Sequence, residues 1–318
     1  MKALVTGCAG FIGSHLTDRL LADGYTVTGI DCFTDYYARS IKETNISNAR
    51  KNPRFKFIKK NIMEMNAFPE VDYIFHEAAQ AGVRTSWGRD FEIYTRMNIE
   101  STQYLLESYK EKNLKKFVYA SSSSVYGDVA LPMKESVRLQ PVSPYGVTKL
   151  AAEHLCYLYW KNYGVPTISL RYFTVYGPRQ RPDMGIYKFV RAILNGDPIT
   201  IYGDGTQTRD FTYIADIVDA NIKAAYSPIT GESFNIGGGS RITVNELIRI
   251  IEEKCGKKGS IIYGDQQKGD VTDTLADISI TLTKLGWTPH ISVREGIRSF
   301  VDWYKQNVVK DTYIVQTK

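Results

Sequence analysis

Tyr145 and Lys149 stand four apart in the stretch S-P-Y-G-V-T-K. On a helix that spacing puts both side chains on one face, and Pro144 suits the first turn of such a helix. A phenol with a pKa of about 10 is a poor base at neutral pH. An ammonium held close by favours the phenolate and lowers that value. The pair can then take the proton of a sugar hydroxyl while a hydride leaves the carbon that bears it. Taken alone, Y-x-x-x-K also fits a solvated helix face, so the reading needs a third group. The run K-F-V-Y-A-S-S-S-S-V-Y-G at 116–127 supplies one. Its first half reads as a strand, and in a parallel α/β sheet ligands bind beyond the carboxyl ends of the strands. Ser122 and Ser123 are therefore candidate partners for the reacting oxygen. Ser121 and Ser124 fit a turn bonded to its own backbone.

A second constellation lies at the N-terminus, where V-T-G-C-A-G-F-I-G places glycines at 7, 10 and 13 between a strand and a helix. Glycines there permit a tight turn and let backbone N–H groups approach a pyrophosphate at the helix N-terminus. The spacing is G-x-x-G-x-x-G rather than G-x-G-x-x-G. Asp31 closes the second predicted strand, where a carboxylate accepts ribose hydroxyls and repels a 2′-phosphate. No Arg or Lys follows it immediately, so NAD is expected rather than NADP.

These residues need a scaffold. Apolar β-rich runs (K-A-L-V-T-G, Y-T-V-T-G-I-D, F-K-F-I-K-K-N-I, V-D-Y-I-F-H-E-A-A, K-F-V-Y-A-S-S and P-T-I-S-L-R-Y-F) alternate with helical stretches, and read as strands buried on both faces. That alternation predicts an α/β fold with a doubly wound parallel sheet. Gly24 and Gly164 follow helical runs where a left-handed cap is expected. Beyond Arg171 the texture turns rich in Gly, Pro and aromatics, which predicts a smaller C-terminal lobe walling a cleft. At 318 residues, 43% hydrophobic and 23% charged, the chain reads as a globular protein. A net charge of +6 suits an anionic small molecule; nucleic acid and membrane are not expected as partners. Four dispersed cysteines and four dispersed histidines form no metal or disulfide pattern, and a cytoplasmic setting is expected.

Together T-G-x-x-G-F-I-G, Asp31, H-E-A-A at 76–79, Asn98, S-S-S-S-V-Y-G, P-Y-G-V-T-K, R-Y-F-T-V-Y-G-P-R-Q-R-P-D-M and G-D-G-T-Q-T-R-D-F-T-Y-I closely resemble the extended short-chain dehydrogenase/reductases that act on nucleotide sugars. The resemblance runs from Lys2 to about Trp303. It implies a Rossmann domain carrying NAD over 1–171 plus about 210–236, and a nucleotide-sugar lobe over about 172–209 and 237–318. It places the catalytic hydroxyl on Ser122, the base on Tyr145 and the lysine on Lys149. Phe11, Ile12, Ile62, Ala78 and Ala79 would lie along the cofactor, with Asn98 as a structural asparagine. Asn61 stands where many members carry an Asp that contacts adenine. Arg209 would approach the diphosphate, 198–202 ending in Tyr202 the uracil, and Asp270 the substrate. A homodimer through helices near 92–112 and 144–163 is also implied, with Tyr104, Leu105, Tyr157 and Trp160 as apolar positions that could equally be core.

Within that family, dehydratases carry an Asp-Glu pair after the catalytic hydroxyl residue, and decarboxylases a Glu in the second position. Here both positions are serine, Ser123 and Ser124. Without a carboxylate the simplest outcome is C4 epimerisation, and D-C-F-T-D-Y-Y-A-R-S-I-K, A-A-Q-A-G-V-R and G-P-R-Q-R-P-D-M are most similar to the UDP-glucuronate 4-epimerases. A guanidinium can hold that substrate's carboxylate bidentately; Arg181 is the candidate, assisted by Thr174, with Arg84 as a second. UDP-glucose or UDP-N-acetylglucosamine epimerisation is the nearest alternative, ahead of decarboxylation or dehydration. A non-catalytic nucleotide sensor would be expected to lack part of the Ser–Tyr–Lys set, which is complete here.

Overall fold

The computed structural model describes residues 1–265 and 267–308; the expected second lobe, 237–318, extends outside them at Gln266 and after 308. Twelve strands alternate with ten helices among the described residues. The strands are β1 Lys2–Thr6, β2 Thr26–Asp31, β3 Phe55–Lys59, β4 Tyr73–His76, β5 Lys116–Ser122, β6 Thr167–Tyr172, β7 Thr174–Tyr176, β8 Ile199–Tyr202, β9 Thr208–Tyr213, β10 Glu232–Ile236, β11 Arg241–Thr243 and β12 Ile261–Gly264. The helices are α1 Phe11–Ala22, α2 Arg39–Asn45, α3 Phe91–Tyr94, α4 Ser101–Tyr109, α5 Pro144–Tyr163, α6 Gly185–Asn195, α7 Ile214–Tyr226, α8 Val244–Cys255, α9 Ser279–Leu285 and α10 Val293–Asn307.

Seven strands form one parallel sheet in the order β10-β6-β5-β4-β1-β2-β3. This is the doubly wound Rossmann order extended by one strand, with its switch point between β1 and β4. Strands β1, β4, β5 and β6 are buried almost throughout, as their unbroken apolar runs require. Strand β3 departs from the expectation. It lies at the sheet edge and is only half-buried: Phe55 and Phe57 pack on one face and Ile58 on the other, while Lys56 and Lys59 are exposed. The Gly- and aromatic-rich texture beyond Arg171 includes a strand, β9. That strand pairs with β7 and β11 in a small sheet of its own.

Two large apolar cores flank the site. One joins α1 and α7 to the main sheet through Leu16, Leu20, Ile217, Phe234 and Trp287. The other packs α6, α8 and α10 around Tyr176, Ile193, Ile248 and Phe300. Helix caps follow the local chemistry. Ser143 caps α5 by accepting from Gly146 N at 3.1 Å, Pro144 opens the helix, and Gly164 ends it at φ +71°. Between α3 and α4 the helix passes through a π turn, Thr95–Glu100, which carries Asn98.

Candidate active site

The glycine turn and α1 build an anion cradle. Gly7 adopts φ +68°, and a Cβ there would stand 2.8 Å from the backbone N of Ala78. A Cβ on Gly13 would stand 2.2 Å from the Gly7 carbonyl, so α1 can seat this close to β1 only with glycine. Gly10, at the head of α1, makes no side-chain cap, and the first turn holds no acidic residue. Free N–H groups and the positive end of the helix dipole therefore face the cleft. The cleft is lined by Gly7, Gly10, Phe11, Ile12, Gly13, Asp31, Asn61, Ile62, Ala78, Ala79, Tyr145 and Lys149. All twelve come from the end of β2, from the segments that follow β1, β3 and β4, or from the first two turns of α5, which is where a switch point gathers them.

Asp31 accepts from Ala9 N at 3.1 Å and Phe33 N at 2.8 Å, so both oxygens are aimed by backbone. Burial raises its pKa, against those two bonds and the charge of Lys42. No Arg or Lys follows Asp31 immediately in sequence, but Lys42 comes near it in the fold. Eleven residues on, α2 turns this lysine back to the same wall, where Thr34 holds it through its carbonyl and hydroxyl. Its ammonium is thus committed to Thr34, and the carboxylate remains the group that confronts a ribose. Asn61 accepts from Met63 N at 3.0 Å and caps its own turn, with its amide N–H directed to Met97. A dinucleotide fits these residues: an uncapped helix, a cradle that a Cβ on Gly7 or Gly13 would fill, and an oriented carboxylate at the end of β2 in the same cleft wall.

At the other end, Tyr145 and Lys149 both line the cleft, one turn apart on α5. Backbone N–H of Tyr145 donates to Ser86 Oγ at 3.1 Å, and its ring meets Tyr94 edge-on, which fixes the helix start. Ser122 lies close enough to the Tyr145 phenol to lower its pKa, and its Oγ accepts from Ser124 N at 3.1 Å. The serine run therefore splits as its spacing suggests. Ser122 reaches the tyrosine, while Ser121 donates to Glu153 at 2.6 Å and belongs to the core. Ser123 opens the short turn after β5 and is half-buried.

The electrostatics of the pair differ from the expectation. Burial raises the Tyr145 pKa; Ser122 and the Arg181 charge oppose it without overcoming it. Lys149 is not what pulls on the phenol in this state. Its ammonium stands 4.5 Å from the centre of the Tyr119 ring, where burial lowers its pKa to about 8 against the attraction of Glu77. The phenol lacks a net lowering influence until a further positive charge enters the cleft.

Arg181 lines the same cleft and acts on Tyr145. Its fork is already engaged: Nε and Nη2 donate to the two oxygens of Asp183 at 2.9 and 3.0 Å, and Tyr36 donates to the same carboxylate at 3.2 Å. Only Nη1 and the outer edge of Nη2 remain for another anion. Thr174 sits half-buried in β7, off the cleft wall.

Four other expected residues gather elsewhere. Arg84 donates through Nε and Nη2 to Asp270 Oδ2 at 3.2 and 2.6 Å, and lies 4.4 Å over the Tyr202 ring. Arg209 donates to the carbonyls of Thr208 and Thr272 and feels both Asp270 and Arg84. This second cluster does not line the cleft with Tyr145, so Arg84 is not placed to share the role of Arg181. Asn98 also stands off the cleft. It is buried, accepting from Gln80 N at 2.7 Å and donating to Gln80 O and Thr148 Oγ1, so it clasps the loop after β4 to α5 rather than touching a ligand.

Several wall residues escaped the sequence reading: Tyr36, Tyr37, Glu77, Gln80, Met97 and Tyr172. Glu77 had an available signal, since it directly follows β4 at the carboxyl edge of the sheet. His76 beside it is structural. Thr102 donates to Asn98 O and accepts from His76 Nε2, leaving Nδ1 to accept from Thr6, and burial pushes the imidazole down to about 3.

A doubly wound sheet with an anion cradle at its switch point and a Ser–Tyr–Lys set at its mouth defines a dinucleotide-dependent enzyme of the short-chain dehydrogenase/reductase type. The chain belongs to the NAD dependent epimerase/dehydratase family, whose model matches residues 3–237. A UDP-glucuronate 4-epimerase of Thermodesulfobacterium geofontis is 42% identical over 313 residues, covering 96% of each chain. An uncharacterized UDP-glucose epimerase of Bacillus subtilis is 44% identical over 302 residues, 93% of this chain and 96% of that one. The crystal structure of the UDP-glucuronic acid 4-epimerase from Bacillus cereus with UDP-glucuronic acid and NAD superposes with a TM-score of 0.94, at 44% identity over 96% of this chain and 99% of that one.

Proposed function

We propose that this protein is an isomerase that interconverts UDP-glucuronate and UDP-galacturonate by epimerisation at C4. The observation that carries this reading is Arg181, a guanidinium lining the same cleft as Tyr145 and acting on it electrostatically. Similarity to a UDP-glucuronate 4-epimerase over nearly the whole chain supports it. The N-terminal sheet and its helices would hold the cofactor along Gly7, Gly10, Gly13, Asp31 and Asn61. The lobe over about 172–209 and 237–318 would hold the nucleotide sugar, with Arg209, Tyr202 and Asp270 toward its UDP end. Bound NAD supplies an acceptor for the C4 hydride and returns it, and its positive ring is the additional charge that Tyr145 lacks. Tyr145 takes the C4 hydroxyl proton as phenolate, with Ser122 steadying the oxygen. Lys149 stays buried beneath the pair and keeps the site positive. Ser123 and Ser124 offer no carboxylate to move protons at C5 or C6, which favours return of the hydride to the 4-keto sugar. Arg181 would hold the C5 carboxylate after exchanging part of its contact with Asp183.

Purified enzyme given UDP-glucuronate should yield UDP-galacturonate, resolved by chromatography; turnover of UDP-glucose alone would defeat the substrate assignment. Arg181→Ala should lower kcat/KM for UDP-glucuronate roughly 100-fold more than for a neutral UDP-hexose, as expected from losing a charge-assisted contact of about 2–3 kcal/mol. Equal losses would show that Arg181 does not read the carboxylate.

We also propose a homodimer formed on α3 and α5. Ile93, Val147, Tyr157 and Leu158 are exposed there, whereas Leu105 is core and Tyr104 donates to Met65 O, so the α4 residues expected at an interface are not available. Light scattering should give twice the 36.0 kDa chain mass, and Leu158→Glu should give monomer. The four cysteines are unpaired, which suits the cytoplasm; among the described residues no helix is long and apolar enough to cross a membrane.

A further inference from the structure

Glu77 is a carboxyl group that neither the base nor the substrate reading uses. It lies in the cleft wall between the Gly7 turn and Lys149, at the end of the cleft marked by Tyr145. Three residues from three elements build its setting. Asn221 on α7, fully buried, donates Nδ2 to the Tyr172 hydroxyl at 2.7 Å, and Tyr172 on β6 donates in turn to Glu77 Oε1 at 2.9 Å. Each donor polarises the next, so the chain favours negative charge at its end. Glu77 Oε2 makes no hydrogen bond to any described residue and is left for the cleft. Lys149 is the nearest countercharge, and it is held over Tyr119 without an ion pair to Glu77.

We propose that Glu77 tunes the resident cofactor, its carboxylate stabilising the cationic oxidised nicotinamide over the neutral reduced ring. This rests on the reading that NAD lies in the cleft with its reactive ring beside Tyr145 and Lys149. A negative charge in a cleft walled from bulk solvent acts strongly on a cation a few ångströms away. The same charge has little to gain from the uncharged reduced form. The effect would hold the resting enzyme oxidised and ready to take a hydride. Burial pushes Glu77 up to about 7, against the Tyr172 hydrogen bond and the Lys149 charge. At neutral pH the group is therefore poised between its charged and neutral forms, and the Asn221–Tyr172 chain decides how much carboxylate is present. Tyr172 and Asn221 act through Glu77 and are positioning residues.

The test is cofactor binding, not turnover. Apo-enzyme is titrated with NAD⁺ and with NADH by calorimetry, for wild type, Glu77→Gln, Tyr172→Phe and the double variant. Glutamine keeps the size of the side chain and an oxygen for Tyr172, so the fold is retained. Glu77→Gln should shift the ratio of the two dissociation constants about tenfold toward NADH, equivalent to raising the bound two-electron couple by about 30 mV. Tyr172→Phe should shift it the same way by less, and the double variant no further than Glu77→Gln alone. Unchanged ratios with both cofactors still bound would overturn the role of Glu77 and leave the cofactor reading standing. Failure of wild type to bind either form would overturn both. Equal weakening of NAD⁺ and NADH in Glu77→Gln would show a structural residue and also overturn the proposal.

Discussion

Tyr145→Phe should lose about a thousandfold in epimerisation rate, within the range of roughly 10²–10⁴ for a positioned acid–base group, while binding NAD as tightly as wild type. The substitution removes one oxygen and leaves the ring in its packing against Tyr94, 6.3 Å away edge-on, and the backbone bond to Ser86. The cleft therefore keeps its shape. What goes is the atom that Ser122 and Arg181 act on. Lys149 cannot take over. It sits beneath the tyrosine over Tyr119, and burial that lowers it to about 8 still leaves it mostly protonated at neutral pH. Product formation from UDP-glucuronate followed by chromatography, with NAD titrated separately, measures both halves. A variant with full rate would remove Tyr145 from the chemistry.

Arg171→Ala should cost about 3–5 kcal/mol of stability, the usual result of removing one partner from a buried ion pair. The Arg171 and Glu153 side chains are only 5% and 6% exposed, with Nη2 donating to Oε1 at 2.6 Å. Burial pushes the Glu153 carboxyl up, but the hydrogen bond and charge of Arg171 outweigh it and hold the group below its ordinary range. Glu153 on α5 also accepts from Ser121 on β5, and Arg171 on β6 donates to Tyr126 at 2.9 Å. One ion pair thus joins the strand that ends in Ser122, the helix that carries Tyr145 and the strand between them and β10. Chemical denaturation should show the loss as a fall in midpoint. Arg171→Met with Glu153→Leu should recover part of it, because no unpaired charge is then buried; recovery stays partial because Ser121 loses its acceptor. An unchanged midpoint in Arg171→Ala would mean the pair is not the clamp described.

How the two reading levels divide is clearest at particular residues. Local rules suffice wherever the physics is local. Glycines at 7, 10 and 13 declare a tight turn into a helix because no Cβ fits there. Ser143 and Pro144 declare a helix start, and four-residue spacing puts Tyr145 and Lys149 on one face. Unbroken apolar runs declare central strands, and the exception, β3, is an edge strand whose two exposed lysines interrupt its apolar residues and whose neighbours are missing on one side. The sequence order of strands and helices then limits the sheet to a doubly wound one, and with it the position of the cleft.

What lies across the sheet was not legible. Lys42 reaches Asp31 only because α2 folds back over the second strand. Arg181 finds its fork filled by Asp183, which Tyr36, 145 positions from Arg181, also hydrogen-bonds, and no spacing rule relates the three. Asn98 matched a structural asparagine, but only the fold shows that a π turn points it inward to clasp Gln80 and Thr148. Glu77 meets Tyr172 and Asn221 from three separate elements. Short-range sequence determined the turn, the caps, the strands and the reacting pair, because each depends on backbone sterics within a few residues. The charge state and partners of the groups around that pair depend on burial and on contacts over a hundred residues apart, and only the tertiary structure decided them.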